Sequence, residues 1–146
     1  MGQMRYEGQE EMVSWAQKVI GCQFRPDAKA IGLEGDNGLQ AVTVFDGFSQ
    51  CDCNIHVASD GSGRWMTREF LFHSFAYPFI QLGLRRVTGL VPAKNEAALR
   101  LDLHLGFEHE GRCRNALPDD DIIVLGMLRE NCRFIPRDYR STDHAG

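Results

Sequence analysis

Three places in this 146-residue chain set reactive residue types at short spacing. Cys51, Cys53 and His56 form a C-x-C-x-x-H cluster, the residue types of a metal site. Ser59-Asp60-Gly61-Ser62-Gly63 is a glycine-rich loop, with Arg64 and Arg68 just behind it and an apolar helical pattern following. A helix opening on such a turn offers free N–H groups and the positive end of its dipole, which suits a phosphate or pyrophosphate. Asp119-Asp120-Asp121 is an acidic run that would attract a cationic amine; the plainer reading is a solvated turn. The cysteine cluster fails on geometry. On a strand, Cys51 and Cys53 share one face and His56 takes the other, so three ligands do not converge. The cysteines read as structural and no metal is expected. His56 is left as either a hydrogen-bonded sheet residue or a base.

These residues must be held by elements that the periodicity predicts. Met12, Val13, Trp15, Ala16, Val19 and Ile20 recur at helical spacing from Glu7, and Gly21 stops the run. Strands follow over 28–35 and 40–48, joined by the tight turn Asp36-Asn37-Gly38. A third strand covers 51–58 and ends at the glycine-rich loop. Met66, Phe70, Leu71, Phe75, Phe79 and Leu82 mark one helix face up to Gly83, with a kink at Pro78. A strand over 85–91 precedes Asn95, a good N-cap for a helix through Leu105 that Gly106 closes. Two last strands flank the acidic turn. The domain is expected over 1–134, and 135–146 as a loose polar tail. One α/β domain is the reading.

Composition narrows the function classes. The chain is 43% hydrophobic and 25% charged, with a formal charge of −4. A general nucleic-acid binder needs a basic surface, so that class is disfavoured. The charge is uneven, however: residues 51–100 carry six basic and four acidic groups, while both flanks are acidic. The five cysteines form no disulfide framework, and neither an export signal nor an apolar run of about 18–20 residues is visible. A cytoplasmic location without a membrane is expected.

The stretch from Gly83 to Arg114 carries a family resemblance. Asn95, Ala98, Leu105-Gly106-Phe107, Glu110-Gly111 and Arg112 or Arg114 look like the second half of a GNAT-superfamily N-acetyltransferase. They are most similar to the ribosomal-protein N-terminal alanine acetyltransferase branch. Ile122 to Asn131 resembles that branch's last strand, and the likeness extends over about 54–134. It implies a mixed, mostly antiparallel sheet whose third and fourth strands splay apart, flanked by helices. It also implies acetyl-CoA as cosubstrate, without a metal. Backbone groups of Val57 and Ala58 would hold the thioester and pantetheine, Asn95 would reach the pantetheine arm, and Gly63, Arg64, Trp65, Met66 and Thr67 would take the pyrophosphate. The family acts by direct attack of a primary amine on the thioester. The acceptor is left open among a protein N-terminus, a lysine and a small amine, as is a homodimer. The short chain resembles members found in phage genomes.

Two positions depart from the family pattern. Trp65 stands where the pyrophosphate loop has its key glycine, and an indole there should obstruct close backbone approach. Either Gly61 and Gly63 let the loop take another shape or cofactor affinity is reduced. Asp102 stands where many members have a tyrosine that protonates the leaving thiolate. An aspartate does this at neutral pH only if burial raises its pKa. His56 and Asp102 are the candidate proton-transfer residues. The alternative reading is a GNAT-fold binding module that has lost catalysis and kept a protein-interaction role.

Overall fold

The computed structural model describes residues 2–141. An inner strand, Gly38–Asp46, is buried on both faces: Ala41 and Phe45 join one apolar cluster, Val42 and Val44 another. A strand of this kind needs cover on both sides. The elements that provide it are β1 (Gln3–Arg5), α1 (Gln9–Ile20), β2 (Lys29–Gly35), β3 (Gly38–Asp46), β4 (Asn54–Ser59), α2 (Arg68–Ala76), β5 (Arg86–Pro92), α3 (Glu96–Leu105), β6 (Glu108–Leu117) and β7 (Asp120–Leu128). The strands form one sheet in the order β1-β2-β3-β4-β5-β7-β6. Every neighbouring pair is antiparallel except β4 with β5, which run parallel.

Helix α1 covers one face alone. Met12 and Ala16 pack on Ala30, Val42, Val44 and Ala58, with Trp15 partly buried against the same cluster. The approach is close enough that a Cβ on Gly32 would lie 2.6 Å from Met12 Sδ. Gly21 ends the helix in the left-handed region at φ 80°, as glycine after a helical run should. The other face carries α2 and α3 over the larger core, in which Phe70, Phe75 and Phe79 meet Leu105 and Phe107. Inside it the Thr43 and Ser74 hydroxyls satisfy each other at 2.8 Å.

Four boundaries differ from expectation. The three-residue strand β1 is added to the sheet edge through its pairing with β2. Strand β4 starts at Asn54, not Cys51, because the Cys51 and Cys53 carbonyls turn to β5. The long kinked helix over 66–83 is instead α2, capped by the Thr67 side chain, followed by a π-helical turn over Tyr77–Gln81. There the Leu82 N–H reaches Tyr77 O at 3.0 Å, and Pro78, with no N–H, is accommodated by the wider turn. Finally, Ile135 is 2% exposed in the core and Arg140 donates to its carbonyl. The segment from Ile135 to Ser141 is thus attached to the fold; the rest of the expected tail, 142–146, lies outside the described residues.

Candidate active site

The parallel strands β4 and β5 touch only at their base. The Cys51 carbonyl accepts from the Arg85 and Arg86 N–H groups at 2.9 and 3.1 Å, and the Cys53 carbonyl accepts from Thr88 N–H at 2.9 Å. The Thr88 hydroxyl donates to Asp52, and Arg86 bridges to Glu110 at 2.7 Å. This polar clamp pins the base. The only registered pair is Asn54 with Thr88, and beyond it the strands part into a V.

Strand parity tells which backbone groups the V leaves open. Cys53 O faces β5, whereas Asp60 N–H is bonded to Gln40 O beside β3. N–H and C=O of one residue point to the same side of a strand and alternate along it. Ile55, Val57 and Ser59 therefore turn their backbone groups into the V, and so does Leu90 from β5. Ala58 belongs to the other set and is paired with Val42. Of Val57 and Ala58, only Val57 turns its backbone groups into the V.

A cavity of about 120 Å³ occupies the V. Because the strands part, it joins both faces of the sheet: His56 and Leu90 border it with Val57, Asn95, Asp102 and Phe107. His56 and Asp102 thus share one space. His56 Nε2 lies 3.0 Å from Asp46 Oδ1 on the neighbouring strand, and the Phe24 ring sits 4.9 Å from the imidazole. Burial pushes the Asp46 carboxyl up, but hydrogen bonds from His56, the Arg25 N–H and Asn54 outweigh it and hold the pKa low. An ionised carboxylate only accepts, so it draws the imidazole proton to Nε2 and leaves the Nδ1 lone pair free.

Asp102 is the opposite case. Among the described residues no side chain hydrogen-bonds its carboxyl, and burial pushes it up to about 6 despite attraction to His56. A Cβ added at Gly89 would stand in ordinary contact with Asp102 Oδ2, at 3.8 Å, so the carboxyl lies against β5. An imidazole with a free ring nitrogen and a carboxyl raised by burial, bordering one cavity, are the residue types that an acid and base pair needs. Asp46 was missed by sequence reasoning. Its signal is available only through register: Asp46 pairs with Asn54, two residues from His56 on the same face.

Asn95 caps α3, accepting from Ala98 N–H through Oδ1 at 3.2 Å, so its Nδ2 is the donor left for a ligand at the cavity. The loop after β4 turns on its glycines. Gly61 and Gly63 adopt φ of 85° and 76°, the reshaping that glycine allows. Trp65 turns inward, 5% exposed, edge-on to Phe70 with ring centroids 6.1 Å apart. Its side chain is part of the larger core. The N–H groups of the loop are another matter. Gly61, Ser62 and Arg64 donate to Ser59 Oγ, Asp60 Oδ1 and Ser62 Oγ, and Met66 and Thr67 donate to loop carbonyls. Those of Gly63, Trp65, Arg68 and Glu69 are the ones with no such acceptor.

None of the five expected pyrophosphate residues borders the V cavity. Arg64 and Thr67 face the β2–β3 hairpin, and Met66 faces a groove with Arg68, Arg133 and Phe134. The acidic turn is engaged at home: Asp120 accepts Lys94 N–H, and Asp121 holds Arg112 and the Asn115 N–H. The C-x-C-x-x-H cluster does not converge either. Among the described residues no three His, Cys, Asp or Glu side chains are placed around a metal, and burial pushes the Cys53 thiol up to about 12.

No protein-family model and no curated protein matches the sequence. Solved structures do match. A spermidine N-acetyltransferase chimera from Vibrio cholerae is similar over 87% of this chain and 95% of its own, with 13% identity and a TM-score of 0.70. Ribosomal-protein-S5-alanine acetyltransferase from Vibrio fischeri is similar over 92% and 96%, with 14% identity and a TM-score of 0.68. A Salmonella typhimurium protein solved with its cofactor acetyl-CoA is similar over 87% and 93%, with 12% identity and a TM-score of 0.65. At these identities the likeness concerns the fold, and the fold is that of the GNAT acetyltransferases.

Proposed function

We propose that this chain transfers an acetyl group from acetyl-CoA to a primary amine by direct attack. The observation that carries the reading is the V itself: an open β4 edge, a base and an acid border one cavity. Acetyl-CoA, when bound, supplies an activated thioester. Val57 N–H is the backbone donor available to polarise its carbonyl, and Asn95 Nδ2 is a donor for the pantetheine arm. His56 Nδ1, oriented by Asp46, takes the proton that the attacking amine loses. Asp102 gives a proton to the leaving sulfur, a step its raised pKa makes available near neutral pH. No cysteine is needed as nucleophile.

The arm end of the cofactor fits the residues present. The phosphate end has Arg64, Arg68 and the open N–H groups of Gly63 and Trp65, fewer than the expected loop would offer. That shortage favours the second reading, a binding module that keeps the fold without turnover. Spermidine and a ribosomal-protein alanine are the amines named for two proteins of like fold. The acceptor proposed for this chain stays at the level of a protein N-terminus, a lysine or a small amine. Measuring free CoA released from acetyl-CoA with an amine panel tests the activity. Thermal melting with acetyl-CoA tests the site, since a ligand bound only to the native state raises the midpoint. No shift at millimolar acetyl-CoA removes the enzyme reading and leaves the binding module.

A further inference from the structure

A second cavity, of about 410 Å³, lies between the start of β2 and the C-terminal part of α2 with its π-helical turn. It shares no bordering residue with the V. Its floor is made by Ile31 and Phe45, 5% and 0% exposed. Its walls hold Tyr6, Tyr77 and Tyr139, which are all the tyrosines of the chain. Tyrosines scattered through a sequence gather this way when a surface needs aromatic faces with polar edges. The Phe45 and Tyr77 ring centroids are 5.0 Å apart, and the Tyr6 hydroxyl is fixed on His73 Nδ1 at 2.9 Å. Tyr6 and Tyr77 are therefore held in place by contacts of their own.

The π-helical turn contributes to this shape. The wider turn begins at Tyr77, and Tyr77, Ile80 and Gln81 all border the cavity. Such turns recur at functional sites because they re-aim side chains at a modest cost in helix regularity.

The polar groups decide what would bind. Lys29 borders the cavity, exposed, and no carboxylate among the described residues is paired with it. Among the described residues no Asp or Glu borders the cavity. Burial raises the pKa of Tyr6, helped by Glu69, and burial raises that of Tyr77, so both hydroxyls stay neutral. A cation would meet Lys29, and Glu69, the acid that acts on Tyr6, is not itself part of the lining. An anion would meet a lysine that lacks a partner. The volume is within the range of small-molecule sites, about 300–1,000 Å³.

We propose that this cavity is a binding site for a small planar aromatic carboxylate, its ring against the tyrosine faces and its carboxylate on Lys29. The site is separate from acetyl transfer and stands or falls independently of it. Calorimetric titration of the full chain with 2-naphthoate tests it, with 2-naphthamide and phenyltrimethylammonium as the neutral and cationic probes. Saturable one-to-one binding of 2-naphthoate below about 1 mM is expected, with the amide and the cation at least about tenfold weaker. Lys29→Gln, at an exposed position that should not disturb folding, is expected to weaken 2-naphthoate about tenfold. Tyr139→Ala should weaken all three probes. The acetyl-CoA melting shift should stay the same in both variants. The proposal is overturned by no saturation at about 5 mM, by equal binding of acid and amide, by tighter binding of the cation, or by displacement of 2-naphthoate with acetyl-CoA.

Discussion

The two ends of the proposed donor site are built on opposite principles. In the V, the backbone is left open by topology: β4 and β5 are joined at one registered pair and then diverge, so Val57 has β3 on one side and no registered partner on the β5 side. In the loop after β4, the backbone is closed on itself by short side chains, with Ser59, Asp60 and Ser62 accepting from the N–H groups one would want for phosphate. An open edge on a parallel pair is maintained by the whole sheet and tolerates local sequence change. A phosphate nest depends on a few residues and is lost through them. The same fold can thus keep one half of a ligand site while its other half drifts.

The largest test of this contrast is Trp65→Gly, which puts back the glycine the family pattern has. If the indole is core, as its 5% exposure indicates, removing it costs about 3–5 kcal/mol or more and acetyl-CoA binds no better. Urea unfolding with and without acetyl-CoA reads both quantities. Trp65→Phe keeps part of the contact with Phe70 and serves where the glycine variant does not fold. Tighter acetyl-CoA binding at unchanged stability would mean that the indole is a plug after all.

Asp102→Asn probes the open end. Free-CoA release should fall about 100-fold, since the amide has no proton to give the leaving sulfur. The wild-type rate should decline as pH rises above about 6, where Asp102 ionises, and the variant should lack that limb. Stability moves the other way. The folded pKa lies above the ordinary carboxylate value, so the native state binds the extra proton. That contribution is fully present below about pH 4 and is lost as pH rises through about 6. The asparagine variant avoids the loss and should be more stable than wild type by on the order of 2 kcal/mol at about pH 8. Equal stabilities at that pH would mean that Asp102 is not desolvated.

Much of the frame was legible. Asp36-Asn37-Gly38 names its own hairpin, Asn95 its own cap, and Gly21 and Gly106 their helix ends, because turn and cap chemistry is local. What failed was directional or non-local. Trp65 sits at a family position whose meaning is a backbone approach, but its side chain turned to Phe70, a choice made by packing. The Asp46–His56 contact needs the β3–β4 register, which hydrophobic alternation alone sets only to within a face. The strand β1 is three residues long and owes its existence to the edge of β2. The pKa of Asp102 was posed as a condition on burial, and only the packing of α3 over β5 could answer it.

The closed end is tested by Asp60→Ala, where the effect should be smallest and most informative. The Ser62 hydroxyl, the Ser62 N–H at 2.9 Å and the charge of Arg64 together hold the Asp60 carboxyl below its ordinary pKa. Removing it frees one N–H and deletes a negative charge where a pyrophosphate would lie. Acetyl-CoA should then bind about threefold tighter at low salt, with the gain screened as salt rises. Acetyl-pantetheine, which has the arm without the phosphates, should bind the variant and the wild type alike. The unfolding midpoint should not move, because the residue is exposed and outside both apolar clusters. If both ligands gain equally, the change has travelled along β4 into the V and the two ends are one unit. If neither gains, the phosphates bind elsewhere, and the groove of Met66, Arg68 and Arg133 is where the next substitution belongs.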